Sequence, residues 1–173
     1  MAEVTAVIQF TRPCLGNVRR PDFDRMQRDQ DDVVIFMATW WRSAFLKAAK
    51  AINRYYDHVD KIHPALQVYG KVSRIKRRYG KDANQFKAHE GFDTGTIVEA
   101  SFLIPANMSI DEFIELMRAT GLYIGVSPYG WKTGAYGHFK LLEVRKGGSR
   151  NNTKSGQPAP DHSGNSGCVG AGA

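Results

Sequence analysis

The sequence predicts an α+β fold, a mostly antiparallel sheet with two main helices packed on one of its faces. Three observations carry that reading. Two windows, Thr39–Ile52 and Ser109–Gly121, show helical apolar periodicity and have recognisable starts. Six short runs rich in β-branched and aromatic residues lie around them. The connections are short and no period repeats along the chain, so one layered unit accounts for all of these runs.

Residues 4–12 (VTAVIQFTR) form the first expected strand, with Val4, Ala6 and Ile8 on one face and Thr5, Val7 and Gln9 on the other. Pro13 and Gly16 end it. The charge-dense segment Asn17–Asp32 reads as a loop with a helical turn near Pro21–Arg28. Val33–Ala38 is an apolar run of strand length, and Thr39 stands in an N-cap position for the first helix. Trp41, Ala44, Phe45, Ala48 and Ile52 share a stripe on that helix, with Arg42, Lys47 and Lys50 away from it.

Leu66–Arg78 alternates as a strand, and Thr96–Ile104 is another, stopped by Pro105. Ser109 and Glu112 have the spacing of a capping box, in which each side chain meets the other residue's backbone N–H. Phe113, Ile114 and Met117 follow on an apolar face, and Gly121 is placed as a left-handed terminator. Leu122–Val126 and His138–Val144 then read as the last hairpin. Two helices among six strands in this order suggest a ferredoxin-like arrangement.

At 173 residues, 42% hydrophobic and 24% charged, the chain has the makings of one folded domain, assigned to residues 1–146. Residues 147–173, rich in Gly, Ser, Asn and Pro, read as a flexible tail. The balance of 24 Lys+Arg against 17 Asp+Glu, a net charge of +7, favours a polyanionic partner, and almost all of it belongs to the body. Cys14 and Cys168 stand too far apart in character for a disulfide framework. No membrane-length apolar run or leader pattern occurs, so a cytoplasmic protein with no membrane partner is expected. No metal spacing is found among His58, His63, His89, His138 and His162, and neither a metal nor another cofactor is expected.

The functional clues lie in two places. Between the last two expected strands sit Gly130, Gly134 and Gly137 with Tyr129, Trp131, Lys132 and Tyr136. Such a loop brings backbone N–H groups and flat rings against a phosphate chain, with Lys132 as a phosphate contact and Trp131 as a stacking platform. It has neither the Walker A nor the Rossmann spacing, and its bland alternative is a hairpin connection whose glycines serve turn geometry. The second place is the basic run of Lys71, Arg74, Lys76, Arg77, Arg78, Lys81 and Lys87, seven cations against the single acid Asp82. It reads as a phosphate-positioning patch or as a solvated strand end. Arg42, at the positive end of the first helix, could join the same surface. His138, at the loop exit, is the candidate general acid or base.

The leading expectation is therefore a non-enzymatic protein that binds RNA or single-stranded DNA. Two alternatives stand beside it: a metal-independent endoribonuclease using His138, and a viral structural or inhibitory protein docking on an acidic partner.

The stretches Ala119-Thr120-Gly121-Leu122-Tyr123-Ile124-Gly125-Val126 and Gly134-Ala135-Tyr136-Gly137-His138-Phe139, with Thr39-Trp40-Trp41-Arg42-Ser43-Ala44-Phe45, carry a resemblance. In them the chain resembles the repeat-associated RNA-binding superfamily of CRISPR effector proteins, with their ferredoxin-like domains and C-terminal glycine-rich loop. It is also similar to uncharacterised phage-borne proteins of this size. The chain departs from the superfamily in having Gly125-Val126-Ser127 where G-x-G is usual, and in lacking a second ferredoxin-like unit. The resemblance implies RNA or single-stranded nucleic acid against Gly130–Gly137, His138 as the counterpart of a processing histidine, and protein partners in a larger complex.

Overall fold

The computed structural model describes residues 1–78, 86–128 and 136–147, with the Arg78 side chain excepted. Its main sheet has four antiparallel strands in the order β3-β6-β1-β7. These are β1 (Ala2–Phe10), β3 (His63–Gly70), β6 (Ile97–Ile104) and β7 (Phe139–Lys146). Helix α1 (Ala38–Ile52) follows β1, and α3 (Ile110–Ala119) follows β6. Two strand–helix–strand halves with this order are the ferredoxin-like arrangement, and the α+β expectation holds.

Alternation explains the layers. Val4, Ala6, Ile8 and Phe10 of β1 are buried under the helices, level with Phe102, Ala100 and Val98 of β6. The opposite face is polar at Thr5 and Ser101, whose hydroxyls meet at 2.9 Å. From above, α1 lowers Trp41, Ala44, Phe45, Ala48 and Ala49 into the core, and α3 lowers Phe113, Leu116 and Met117. The Trp41 ring lies 4.9 Å from Phe102, 5.6 Å from Phe45, 6.0 Å from Phe36 and 6.2 Å from Phe139, centroid to centroid.

The capping box forms as expected. Glu112 N–H donates to Ser109 Oγ at 3.2 Å, and Ser109 N–H donates to the Glu112 carboxylate at 2.7 Å. Beyond it the chain departs from expectation. Gly121 does not terminate the helix in the left-handed region; it lies inside a π-helical turn, Thr120–Ile124, pressed against Phe139. Leu122–Val126 is therefore not a strand, and there is no last hairpin: β7 pairs with β1 instead. A π turn absorbs an extra residue into a helix end, and here it also brings that end close enough to β7 to exclude any side chain at position 121.

Other expectations are corrected too. Helix α1 starts at Ala38 with Met37 as its N-cap, so Thr39 lies in the first turn and caps nothing. Val33–Ala38 is not a strand: Val34 and Ile35 make only isolated bridges, to Arg28 and Gln67, before the helix begins. No helical turn forms at residues 21–28, where bends and bridges such as Val18 with Arg25 hold the chain. Leu66–Arg78 breaks at Lys71 and Val72 into two strands belonging to different sheets.

The second sheet has the order β2-β5-β4, made of β2 (Cys14–Leu15), β4 (Ser73–Arg78) and β5 (Phe86–Phe92). Its β4 and β5 come from the connection between β3 and β6, and β2 from the chain between β1 and α1. Phe92 stacks on Phe10 at 5.8 Å and lies 5.9 Å from Phe36, which fastens this sheet to the main core. A short helix, α2 (Tyr56–Val59), links α1 to β3.

The Trp41→Ala variant is expected to lose about 3–5 kcal/mol of unfolding free energy, the cost of emptying a large aromatic site that four rings enclose. Denaturant titration followed by circular dichroism measures it. A loss below about 1 kcal/mol would show that the rings close over the gap.

Candidate nucleic-acid interface

Strand β4 is the outer strand of the second sheet, and its register against β5 sorts its cations by face. Arg74 lies opposite Glu90 and Lys76 opposite Ala88 on one face, while Arg77 lies opposite Lys87 and Ile75 opposite His89 on the other. The basic run expected from the sequence is thus divided between two surfaces that meet at an exposed edge.

On the first face the segment 17–32 supplies the neighbours. The Phe23 ring carries the Arg74 guanidinium at 4.0 Å and that of Arg25 at 4.9 Å, both within cation–π range. Beside it opens a groove of about 790 Å³ whose walls include Arg20, Phe23, Arg25 and Arg28. Arg28 is anchored there by Glu90 at 2.5 Å, and the other Glu90 oxygen accepts the Met26 N–H at 2.9 Å. Arg20 has no ion pair among the described residues.

The second face leads to the glycine loop. The Arg77 guanidinium lies 4.8 Å from the centre of the Tyr136 ring, so the basic strand touches the loop where the described chain resumes. Lys87, by contrast, is paired with Asp24 at 2.8 Å, and Asp24 is only 2% exposed. Asp24 also stands 3.5 Å from His89 Nδ1, which lies 3.3 Å from the Gly16 carbonyl. Burial holds the His89 imidazole below its ordinary range, against the Gly16 carbonyl and the Asp24 charge, which favour the protonated form.

The mouth of the glycine loop is closed by backbone bonds. Val126 N–H donates to the Gly137 carbonyl at 2.8 Å, Gly137 N–H to Pro13 at 2.9 Å, and the Cys14 thiol to the Val126 carbonyl at 3.3 Å. Gly125 and Gly137 take φ of 80° and 70°, where a side chain is strained, and a Cβ at Gly137 would strike the Val126 carbonyl. Burial pushes the Cys14 thiol up to about 12.

His138 belongs to the same mouth. Its carbonyl accepts the Thr11 and Arg12 N–H groups at 2.8 and 3.2 Å, and its Nδ1 donates to the Leu122 carbonyl at 3.1 Å. Its Nε2 is buried and has no partner among the described residues. The ring is thus fixed by one nitrogen while the other is enclosed.

Of the residues singled out from the sequence, Arg74, Lys76 and Arg77 come together on β4, Arg78 ends that strand, and Lys71 is exposed at the break before it. Tyr136 and Gly137 join them at the loop mouth. Arg42 does not: Asp60, at the end of α2, holds it at 2.6 Å. Lys81, Gly130, Trp131, Lys132 and Gly134 lie outside the described residues. Sequence reasoning missed Arg20, Phe23, Arg25 and Arg28, because segment 17–32 holds four arginines against five aspartates and shows no net basicity. Asp24 is spent on Lys87, and Asp29 on the Asp31 and Val33 N–H groups and the Gln67 amide.

Among the described residues no group of His, Cys, Asp and Glu is arranged to hold a metal, and no helix is long and apolar enough to cross a membrane. No protein-family model matches the sequence, and no curated protein matches it. The fold is similar to a chain in the cryo-EM structure of the Type III-B Cmr-beta bound to cognate target RNA, with a TM-score of 0.55 and 9% sequence identity. The match takes in 84% of this chain and 60% of that one, so this chain spans less than two thirds of its structural neighbour.

Two outcomes are expected. His89 is neutral in the fold and takes up a proton in the unfolded chain below about pH 6.5, so the unfolded state binds more protons as pH falls. Its contribution to stability is present above that range and is lost as pH drops through it toward the lowered value. The groups facing it are Asp24, Lys87, Arg77 and the Gly16 carbonyl. Denaturant midpoints between pH 7.5 and 5 should show a shallower decline in His89→Gln than in the wild type, and equal slopes would assign the dependence elsewhere. Cys14 should resist thiol-reactive labels in the native protein at pH 8 and react on unfolding, as peptide mass spectrometry reads out; rapid native labelling would show that the loop mouth opens.

Proposed function

We propose that the protein binds nucleic acid, RNA or single-stranded DNA, along the β4 edge and the mouth of the glycine loop, without catalysing a reaction. The observation that carries this reading is the contact of Arg77 with Tyr136, at 4.8 Å, which joins the basic strand to the loop. On one face of that strand Arg74 rests on Phe23, a wall of the arginine-lined groove, with Lys76 on the same face; on the other, Arg77 meets Tyr136. Cations beside half-buried aromatic rings suit a flexible strand, because the cations meet phosphates and the rings add contact to unstacked bases.

The fold likeness to a chain of an RNA-bound complex supports the reading, as does the resemblance of the loop region to CRISPR-associated RNA-binding proteins. Membership of a larger protein complex is proposed on the same grounds. His138 has one ring nitrogen bonded to the backbone and the other enclosed, which favours a role in holding the loop mouth over one in strand cleavage.

Fluorescence anisotropy with labelled single-stranded RNA and DNA, from low to physiological salt, tests the proposal. The Arg74→Ala/Lys76→Ala/Arg77→Ala variant should bind more weakly, with a salt slope smaller by about 2, the release expected for three single-strand phosphate contacts. Absence of binding by the wild type at low salt, or an unchanged slope in the folded variant, would sink the reading.

A further inference from the structure

A second cavity, of about 310 Å³, lies between the first turns of α1 and the chain entering the glycine loop. Its lining includes Thr39, Ser43 and Lys47, spaced four residues apart and therefore stacked along one side of the helix. Trp40 stands beside them, and Asn17 and Ser127 complete the polar wall. Among the described residues no acid lines this cavity, whereas the groove beside β4 includes Asp32 and Glu90, and the hollow on the open face of the main sheet includes Glu3 and Glu99. Three hydroxyls, an ammonium and an amide, with no carboxylate among the described lining residues, form a set that donates hydrogen bonds to an anion. The volume is near the lower end for small-molecule sites, about 300 Å³, and fits one nucleotide.

The neighbouring residues sharpen the assignment. Arg42, one position from Ser43, is turned to Asp60, so the helix face toward the loop presents short donors and one lysine in place of a guanidinium. Trp41 is buried in the core, while Trp40 is half-buried, with its ring 5.5 Å from Phe36, and lines the cavity. An indole beside phosphate donors is the combination that takes a base and its phosphate together.

We propose that this cavity is a nucleotide-phosphate subsite, in which Thr39, Ser43 and Lys47 hold a phosphate and Trp40 receives the attached base. It deepens the nucleic-acid reading above and rests on it for the source of the ligand: one nucleotide of a single strand passing from the β4 edge across the loop mouth. A free nucleotide offers the same chemistry, and the test separates the two sources.

Amide chemical shifts of the full-length protein are followed during titration with a single-stranded pentanucleotide and, separately, with a nucleoside 5′-monophosphate. The same titrations are repeated on Ser43→Asp and on Thr39→Ala/Ser43→Ala, both at exposed positions, with circular dichroism to confirm folding. Shifts at Thr39, Ser43 and Gly125 with the pentanucleotide, and affinity lowered about tenfold or more in Ser43→Asp, are the expected result, the loss matching a charge-assisted hydrogen bond replaced by repulsion. The same shifts with the monophosphate alone would support the subsite while overturning the single-strand reading. Pentanucleotide binding that leaves those amides unmoved and both variants at wild-type affinity would overturn the subsite and leave the β4 edge standing. Binding of neither ligand would overturn both.

Discussion

The structure depends first on one indole. Trp41 packs against Phe102 of the central sheet, Phe45 one turn along its own helix, Phe36 before the helix and Phe139 at the start of β7. Burying a side chain of this size removes roughly 150–250 Å² from water, worth on the order of 4–6 kcal/mol at about 25 cal/mol per Å². Its Nε1–H has no hydrogen-bond partner among the described residues, a cost of about 1–3 kcal/mol. Burial is the larger effect, so the ring stays where the four aromatic neighbours meet. Its position sets the orientation of α1, and with it the side of the helix that faces the glycine loop.

From that core the constraint passes outward through backbone and rings rather than through ion pairs. Phe10 stacks on Phe92 and so holds the second sheet; Pro13 and Cys14, just beyond β1, bond to Gly137 and Val126 and so hold the loop mouth. The surface ion pairs, such as Arg42 with Asp60 and Arg54 with Glu115, join exposed groups and add little to stability. The pair of Lys87 with Asp24 is different, because the carboxylate is buried and would be left uncompensated if the lysine were removed. That pairing takes one cation out of the basic run, while Arg74, Lys76 and Arg77 remain on the outer strand.

The fold class was legible because β1, β6 and the two helices obey simple periodicities, and because Ser109 and Glu112 announce a helix start through local chemistry alone. Strand β5 was not legible: Phe86–Phe92 mixes Lys87, His89, Glu90 and Gly91, and its pairing is set by β4 and β2, not by an apolar alternation. The π turn escaped because Gly121 satisfies the usual rule for a helix terminator, and only contact with Phe139 decides that it does another job. At the candidate interface, Arg74 and Arg77 could be named from sequence, but not that they face opposite ways toward Phe23 and Tyr136. The arginines of segment 17–32 were hidden by aspartates whose inward use depends on the tertiary fold.

The π turn also ties the two candidate surfaces to the same piece of backbone. The sequence predicts that α3 ends at Gly121 in a left-handed cap and that a strand follows over Leu122–Val126. Instead Thr120 accepts the Gly125 N–H at 2.8 Å, and the helix runs on by one wide turn until Gly125, whose φ of 80° swings the chain across α1. That course places Ile124, Gly125 and Ser127 against Thr39, Ser43 and Lys47 on one side, while Val126 bonds to Gly137 on the other. A single extra residue in a helix end therefore accounts for both the cavity on α1 and the clamp at the glycine loop. The contact of Arg77 with Tyr136, the residue before Gly137 of the clamp, extends this backbone unit to the β4 edge.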